Sequence, residues 1–164
     1  MKQKRAEHIM EALKEMGLRQ LLLEAPITIY THTGVYVEPF ERFYALYLRE
    51  DGKHVYFLNK LFTVPEDVGV EKVWYSDTDP AAEIVAGYLD KESPLGVDKD
   101  LKARFLLPLM EMKAAAGFVN SSIAVDRTRG VKDEEEQDKM RTASDINDKA
   151  MAVFKTLIHE GVTE

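Results

Sequence analysis

A charged stretch near the end of the sequence, residues 125–136, divides the chain into two parts of different character. It reads Val-Asp-Arg-Thr-Arg-Gly-Val-Lys-Asp-Glu-Glu-Glu. Before it, short apolar runs alternate with helical patterns, whereas after it apolar residues recur every three or four positions as far as Gly161. That spacing is typical of one amphipathic helix. We therefore predict a complete domain over residues 1–126, followed by a linker and one long helix over residues 127–164.

The long helix has a clear predicted start but no evident partner. Asp133 followed three positions later by Glu136 resembles a capping box, and the acidic run at 133–136 suits the positive end of a helix dipole. The pattern predicts a helix of about 28 residues. Because a helix of this length needs packing to be stable, another copy of the chain or the helix's own domain should cover its apolar stripe. The stripe comprises Met140, Ile146, Ala150, Phe154 and Leu157.

The first part predicts an α/β fold, a mixed β-sheet flanked by helices on both faces. The strongest local signal is Asp51-Gly52 between two aromatic and β-branched runs, which predicts a central hairpin buried on both faces. We also predict that Asp79 caps the helix after it, and that Asp98 or Asp100 caps the next one. The predicted elements are helices over 2–16, 80–89 and 101–115, strands over 21–23, 43–49, 54–62, 73–75, 95–97, 118–119 and 122–125, and a single turn or an irregular segment over 26–34.

Composition excludes several classes of function. The formal net charge of −7 argues against non-specific binding of nucleic acid, which depends on basic patches. The absence of cysteine excludes disulfides, thiolate metal sites and a cysteine nucleophile. The first ten residues lack the apolar core of a signal peptide, and no run approaches the roughly 18 apolar residues that a membrane span needs. We therefore expect a soluble, cytoplasmic protein that binds neither nucleic acid nor membrane.

The sequence offers little that is typical of catalysis. The four histidines lie far apart, and we interpret them as surface or structural residues. Carboxylates at 77–79 and 98–100 are spaced for a divalent cation, but each group precedes a predicted helix, so we interpret both as caps. Nucleophile elbows, phosphate-binding glycine loops and dinucleotide fingerprints are absent. We predict no catalytic, cofactor-binding or metal-binding residue in this chain. The loop over 34–43 is either a binding loop held by the sheet or a surface loop with an ion pair.

Three stretches of the chain resemble one enzyme family. Residues 126–136, followed by Met140-Arg141 and Ala143-Ser144, resemble the seam of the prolidase, Xaa-Pro aminopeptidase and creatinase family. There an Arg, a Lys and a Glu lead from the N-terminal domain into the first catalytic helix. Residues 29–34 are similar to the family's early Tyr-x-Thr-Gly segment, with one residue more between Tyr and Gly. Residues 39–43 resemble the Pro-x-x-Arg-Phe loop of the bacterial members.

The resemblance implies a fold and an activity. Residues 1–126 would form the family's N-terminal domain, and residues 127–164 would contain the linker and first helix of the catalytic pita-bread domain. Complete members hold two divalent metal ions (Mn, Co or Zn) with two Asp, one His and two Glu in that later domain. A metal-bridging hydroxide attacks the peptide bond that precedes proline. Because these ligand segments are missing here, the chain would be the non-catalytic part of an Xaa-Pro dipeptidase or aminopeptidase.

The resemblance also implies partners and substrate-binding residues. The expected partners are the protein's own catalytic domain, further copies in a homodimer or higher homo-oligomer, and proline-containing peptides. The domain would serve oligomerisation and substrate access, and Tyr36, Glu41 and Arg42 in its loop become the candidates that touch substrate. Arg42 is suited to pair with the terminal carboxylate of a short peptide. Two alternatives stay open: a stand-alone α/β module for oligomerisation or ligand binding, and the N-terminal domain of a creatinase-type hydrolase that works without metals.

Overall fold

The computed structural model describes residues 1–163, and the chain divides into two compact units, Met1–Arg129 and Gly130–Glu164. The first unit is an α/β domain and the second contains one long helix. The unit boundary falls after Arg129, and the division of the chain at residue 126 into two family domains stays a prediction. Among residues 1–163, no helix is both long enough and apolar enough to cross a membrane.

The first unit is organised around a six-stranded sheet with the order β4-β3-β2-β1-β5-β6. β2 is antiparallel to both of its neighbours, whereas β1, β5 and β6 run parallel to one another and β3 runs parallel to β4. Every strand except β2 therefore ends at the same edge, which we call the carboxyl edge. The strands are β1 (Gln20–Leu23), β2 (Ala45–Arg49), β3 (Val55–Asn59), β4 (Glu71–Tyr75), β5 (Leu95–Val97) and β6 (Phe118–Asn120).

Helices cover both faces of this sheet, as predicted. Side chains of α1, α2 and α5 pack on one face with Leu21 and Leu23, while α3 and α4 pack on the other with Leu22. Alternate residues of β1 thus point to opposite faces and all are buried, because both faces are covered. The helices are α1 (Gln3–Glu15), α2 (Pro26–Thr33), α3 (Ala81–Ala86), α4 (Ala103–Glu111) and α5 (Ser122–Gly130).

The predicted hairpin is confirmed as β2 and β3. Gly52 in its turn has a φ of 77°, a left-handed conformation that glycine adopts without a steric penalty. Leu46 packs with the α1 and α2 face and Tyr47 with the α3 and α4 face, and both are fully buried. Burying such a side chain contributes about 1.5–3 kcal/mol, so this interior pair of strands accounts for a large part of the stability of the sheet.

Two segments differ from the sequence prediction in their secondary structure. Residues 26–33, predicted to be a single turn or irregular, form the eight-residue helix α2. Pro26 suits a first helical turn, and burial of Ile29 outweighs the low helix propensity of the threonines. Residues 122–125, predicted to be a strand, begin α5. There the side chain of Asn120 accepts hydrogen bonds from the backbone N–H and hydroxyl of Ser122, which turns the chain into a helix.

The predicted aspartate caps of α3 and α4 are wrong. The carboxylate of Asp79 accepts hydrogen bonds from the N–H and hydroxyl of Ser76, so it closes the turn before the helix. α4 follows Lys102 without a side-chain cap. Asp98 instead accepts hydrogen bonds from the backbone amides of Glu24 and Ala25, at the end of a neighbouring strand.

The second unit contains α6 (Glu134–Leu157), which confirms the predicted long C-terminal helix. Its predicted start is also correct, since Asp133 and Glu136 form a reciprocal capping box. The helix has 24 residues, and none of them is buried. Its exposed apolar side chains are Met140, Ile146, Met151, Val153, Phe154 and Leu157.

Candidate functional site

The predicted binding loop lies at the carboxyl edge of the sheet. Gly34, with a φ of 75°, ends α2 in the left-handed conformation and releases the chain into the loop. The loop then leads to Phe43 and into β2, the strand that begins at this edge. It therefore runs beside the ends of the parallel strands, a position where α/β folds often place binding residues.

Arg42 is held in a fixed orientation by two carboxylates. Its Nε and Nη2 donate to Oδ1 and Oδ2 of Asp77, each at 2.8 Å, and its Nη1 lies 3.0 Å from Oε1 of Glu41. The fork-like contact with Asp77 matches the planar guanidinium to the planar carboxylate. The two hydrogen bonds to Asp77 use two of the five N–H donors of Arg42, whereas the contact with Glu41 is an ion pair. Glu41 and Arg42, both selected from the sequence, are consecutive residues that form an ion pair.

Asp77 is itself positioned by a second contact. Its Oδ1 also accepts a hydrogen bond of 2.7 Å from Nδ2 of Asn59, a side chain that is fully buried at the end of β3. The hydrogen bond from Arg42 lowers the pKa of Asp77, and Asn59 lowers it further. The sequence analysis did not select Asp77 or Asn59 as site residues. Asn59 ends β3 and Asp77 comes two residues after β4, so the parallel arrangement of these strands places both at one edge of the sheet.

The tip of the loop is tied to the start of α4. Arg104 donates a hydrogen bond to the carbonyl of Glu41, and Nζ of Lys102 lies 3.5 Å from the carbonyl of Phe40. Between these contacts Phe40 has a φ of 51° and is 70% exposed. A left-handed conformation at a residue other than glycine costs about 1–3 kcal/mol and clusters at functional sites. The domain therefore holds an aromatic ring in solvent at the expense of local strain.

Two buried carboxylates connect the strand ends beneath the loop. Glu24 accepts hydrogen bonds from Nζ and from the backbone N–H of Lys102, at 2.9 and 2.6 Å. Asp98 uses Oδ2 to bind the amides after β1, whereas its Oδ1 is buried without a partner within residues 1–163. Burial raises the pKa of Asp98. Both groups join β1 and β5 to the helices that follow, so they support the loop structurally.

Tyr36 lies apart from the Arg42 contacts. Its hydroxyl donates a 2.9 Å hydrogen bond to Glu38, which raises the pKa of Tyr36, and its ring lies edge-on to Tyr30 with the centroids 6.5 Å apart. The side chain is 56% exposed. The loop thus carries two separate exposed groups, one around Tyr36 and one around Arg42.

The side chains that could ligate a metal ion are scattered over the described chain. Within residues 1–163, no three or more histidine, aspartate or glutamate side chains lie together in a way that could hold a metal ion. The described residues therefore do not fit the two-metal centre implied by the family resemblance. What the site can offer is a positioned guanidinium, an exposed phenyl ring and a tyrosine hydroxyl, which are groups for binding.

Comparison with known proteins gives the family and the extent of the match. The model of the creatinase/prolidase N-terminal domain family matches residues 5–131. An uncharacterized peptidase of Staphylococcus aureus is 32% identical over 167 aligned residues, which cover 95% of this chain and 45% of the relative. The chain thus spans about half the length of the curated relatives it matches.

Solved structures show the same fold. A prolidase from Thermococcus sibiricus superposes with a TM-score of 0.86 at 20% identity, over 98% of this chain and 46% of that one. A proline dipeptidase chain from Streptococcus pneumoniae gives 0.69 at 23% identity, over 77% of this chain and 98% of that one. The N-terminal domain of an X-Pro dipeptidase from Streptococcus pyogenes gives 0.63 at 20% identity, with the same coverage. Since the family model matches most of the chain, this protein belongs to the creatinase/prolidase N-terminal domain family.

Proposed function

We propose that this chain is the non-catalytic N-terminal domain of a longer peptidase that cleaves Xaa-Pro peptide bonds. The observation that carries the proposal is the family match over residues 5–131, in a chain that covers only 45% of its Staphylococcus aureus relatives. The names of the solved neighbours, prolidases and proline dipeptidases, support the choice of substrate. We place the parent protein in the cytoplasm as part of the same proposal, which cell fractionation would test.

The catalytic centre belongs, on this proposal, to the remainder of the parent protein. The two divalent metal ions implied by the resemblance would supply an activated hydroxide there. Residues 1–163 contain no cluster that could hold them. The domain would contribute substrate access and homo-oligomer contacts, and the exposed apolar stripe of α6 would be covered by the protein's own catalytic domain.

The loop at the carboxyl edge gives the domain a means of selecting substrate. Arg42 keeps three N–H donors beyond the two bound by Asp77, and a peptide carboxylate can use them or displace Glu41 from its ion pair. Displacing Glu41 costs little, because its side chain is 63% exposed and exposed ion pairs contribute about 0–1 kcal/mol. Asp77 meanwhile keeps the guanidinium oriented. The exposed Phe40 and Tyr36 offer rings against which a proline ring can pack.

Kinetics of the full-length parent would test this role of the loop. We expect Arg42→Ala to lower kcat/KM for an Xaa-Pro dipeptide by roughly tenfold or more, because the variant loses a charge-assisted hydrogen bond to the substrate carboxylate. The same dipeptide with an amidated C-terminus should lose much less. Arg19→Ala is the matched control. Arg19 also pairs with a carboxylate, but it directly precedes β1 and therefore lies at the edge of the sheet opposite to the carboxyl edge. An unchanged kcat/KM for the dipeptide would contradict the proposed role of Arg42.

The competing functions predict different results in the same assays. A creatinase-type hydrolase would retain its own hydrolase activity after exhaustive chelation. The proposed metallopeptidase would lose its activity towards Xaa-Pro peptides and regain it when Mn, Co or Zn is added. A stand-alone module would have no longer parent protein, so a full-length gene product the size of this chain would favour it. Purified residues 1–164 should show no peptidase activity under the proposed function.

A further inference from the structure

The exposed face of α4 has an unusual arrangement of side chains. Leu107 stands at its centre and is 53% exposed, and Met110 beside it is 46% exposed, whereas Leu109 on the other side of the helix is fully buried. The remaining members of the face, Ala103, Arg104 and Glu111, are also exposed. We call these five exposed residues the α4 face. It is an apolar strip with one cation towards its start and one anion at its end.

The two charges on this face lack ion-pair partners of their own. Arg104 donates to a backbone carbonyl and lies over the ring of Phe105, and Glu111 makes no ion pair with any part of the chain that the structure describes. Elsewhere in the first unit other arginines pair with a carboxylate, as Arg19, Arg42 and Arg49 do. The α4 face therefore presents a carboxylate outside any ion pair and a guanidinium that keeps further N–H donors beside the one bound by the Glu41 carbonyl.

The spacing of the residues makes the face complementary to itself. Arg104 and Glu111 are seven positions apart on one rim of the face, and Ala103 and Met110 are seven positions apart on the other. Seven residues make about two helical turns, so each pair is stacked along the helix axis. Leu107 lies midway. If two copies of α4 met antiparallel about a twofold axis at Leu107, each Arg104 would face the partner's Glu111, and each Ala103 the partner's Met110.

We infer that the α4 face is a contact between two copies of this chain. The pairing joins opposite charges on one rim, sets a small side chain against a large one on the other, and buries Leu107 against its own copy. Antiparallel helices also bring the positive end of one dipole near the negative end of the other. A twofold contact of one surface with itself is the commonest way in which soluble proteins form oligomers.

The α4 face would be an interface of the homo-oligomer named in the proposed function, and this inference rests on that part of the proposal alone. It does not depend on peptidase activity. Because α4 has only nine residues, the contact is small and should show concentration-dependent association. The loop tip adjoins this face through the hydrogen bond from Arg104 to the Glu41 carbonyl, so Phe40 can add apolar area at its rim.

A second apolar surface has to be removed before the contact can be tested. The exposed stripe of α6 would itself promote association in the isolated chain. The test therefore uses the full 164-residue chain with Val153→Asp and Phe154→Asp, both on exposed positions of α6. Circular dichroism and thermal unfolding of this background would establish that the first unit stays folded.

Engineered cysteine cross-linking provides the decisive test. The chain contains no cysteine, so a single new thiol can form a disulfide only between two copies. In the α6-substituted background we expect Leu107→Cys to cross-link to a dimer under mild oxidation, because the axis passes beside this residue. Ile123→Cys is the matched control, since Ile123 is also 53% exposed and lies outside α4. Equal cross-linking of the two variants, or none at Leu107→Cys, would overturn the inference.

Charge reversal then tests the antiparallel register. We expect Glu111→Arg to raise the dissociation constant at least several-fold in sedimentation velocity, because it places a second guanidinium opposite Arg104 of the other copy. The double variant Arg104→Glu with Glu111→Arg should regain most of the affinity. A double variant that stays as weak as Glu111→Arg, or a dimer insensitive to Glu111→Arg, would exclude this pairing. Neither result would affect the peptidase proposal, which is tested by kinetics of the parent protein.

Discussion

The first unit and helix α6 are rich in the same apolar side chains, but they use them differently. In the first unit, Leu21, Leu22 and Leu23 are all fully buried between helices on two faces of the sheet. In α6, apolar residues recur at helical spacing, yet none is buried. Periodicity in the sequence therefore identifies a face that requires burial. It does not identify what covers that face, which depends on the rest of the fold or on another polypeptide.

The largest expected difference between the two regions is in the cost of truncating an apolar side chain. Leu22→Ala in β1 should lower the free energy of unfolding by about 2–5 kcal/mol, because it opens a cavity between packed layers. Phe154→Ala in α6 should change it by less than about 0.5 kcal/mol. Trp74 is the only tryptophan and lies in β4, so urea denaturation followed by its fluorescence reports on the first unit.

A comparable loss of stability for Phe154→Ala and Leu22→Ala would contradict this difference between α6 and the first unit. It would mean that α6 contributes to the stability of the first unit in solution. Leu23→Met offers a volume-conserving control in the same strand as Leu22, and such swaps usually cost less than about 1.5 kcal/mol.

A buried histidine gives the first unit a pH dependence that an exposed helix lacks. His32 is fully buried in α2, its Nδ1 lies 2.9 Å from the carbonyl of Thr28, and its Nε2 has no partner within residues 1–163. Burial is the main cause that lowers the pKa of His32, and nearby Arg5 and His54 lower it further. The folded state therefore holds the imidazole neutral at pH values where the unfolded chain binds a proton.

The sign of the effect follows from proton linkage. The stability that His32 contributes is fully present above its unfolded pKa of about 6.5 and is lost as the pH falls below that value. If unfolding takes up one proton, the free energy of unfolding changes by at most about 1.4 kcal/mol per pH unit, and we call this change the slope. Burial also lowers the pKa of His54, so His54 contributes to the wild-type slope as well. His32→Gln should reduce the slope measured by urea denaturation between about pH 7 and 5, the range around the unfolded pKa.

His8→Gln provides the control for this pH experiment. His8 lies on the exposed side of α1, so its substitution should leave the slope close to that of the wild type. An unchanged slope in His32→Gln would show that His32 is not held neutral by burial. The prediction concerns the difference in slope between variants, since His32→Gln also changes packing and therefore the absolute stability.

The difference between local and distant contacts also explains what the sequence could predict. The capping box at Asp133 was correct because both of its partners lie within one helical turn. The hairpin was correct because its turn residues adjoin its strands. The cap assigned to Asp98 was wrong, since its carboxylate is taken by amides of Glu24 and Ala25, more than seventy positions earlier in the chain. No local pattern contains that information.

The candidate site shows the same limit. The motif around Arg42 was visible in the sequence, and in the structure Arg42 forms an ion pair with Glu41, while their role in binding substrate stays a prediction. Asp77, which sets the orientation of Arg42, lies 35 positions away and reaches it only because β3 and β4 are parallel and end together. The irregular segment predicted over 26–34 became α2 for a related reason. Burial of Ile29 in the core stabilises the helix over residues 26–33 although the local helix propensity is low.

The smallest expected effect concerns the start of α6 and isolates its local stabilisation. Asp133→Ala removes the acceptor for the amide of Glu136 and should cost the helix about 1 kcal/mol, within the usual range for an N-cap. Because α6 has no buried residue, packing within the described chain cannot offset the loss. Faster amide exchange in residues 134–137 should report the change, while the fluorescence transition of Trp74 stays where it is. Asp133→Ser, which restores a capping oxygen, should return most of the protection.

If Asp133→Ala instead shifted the Trp74 transition, the start of α6 would be energetically coupled to the sheet. The contrast between the two regions would then apply only to the far end of the helix.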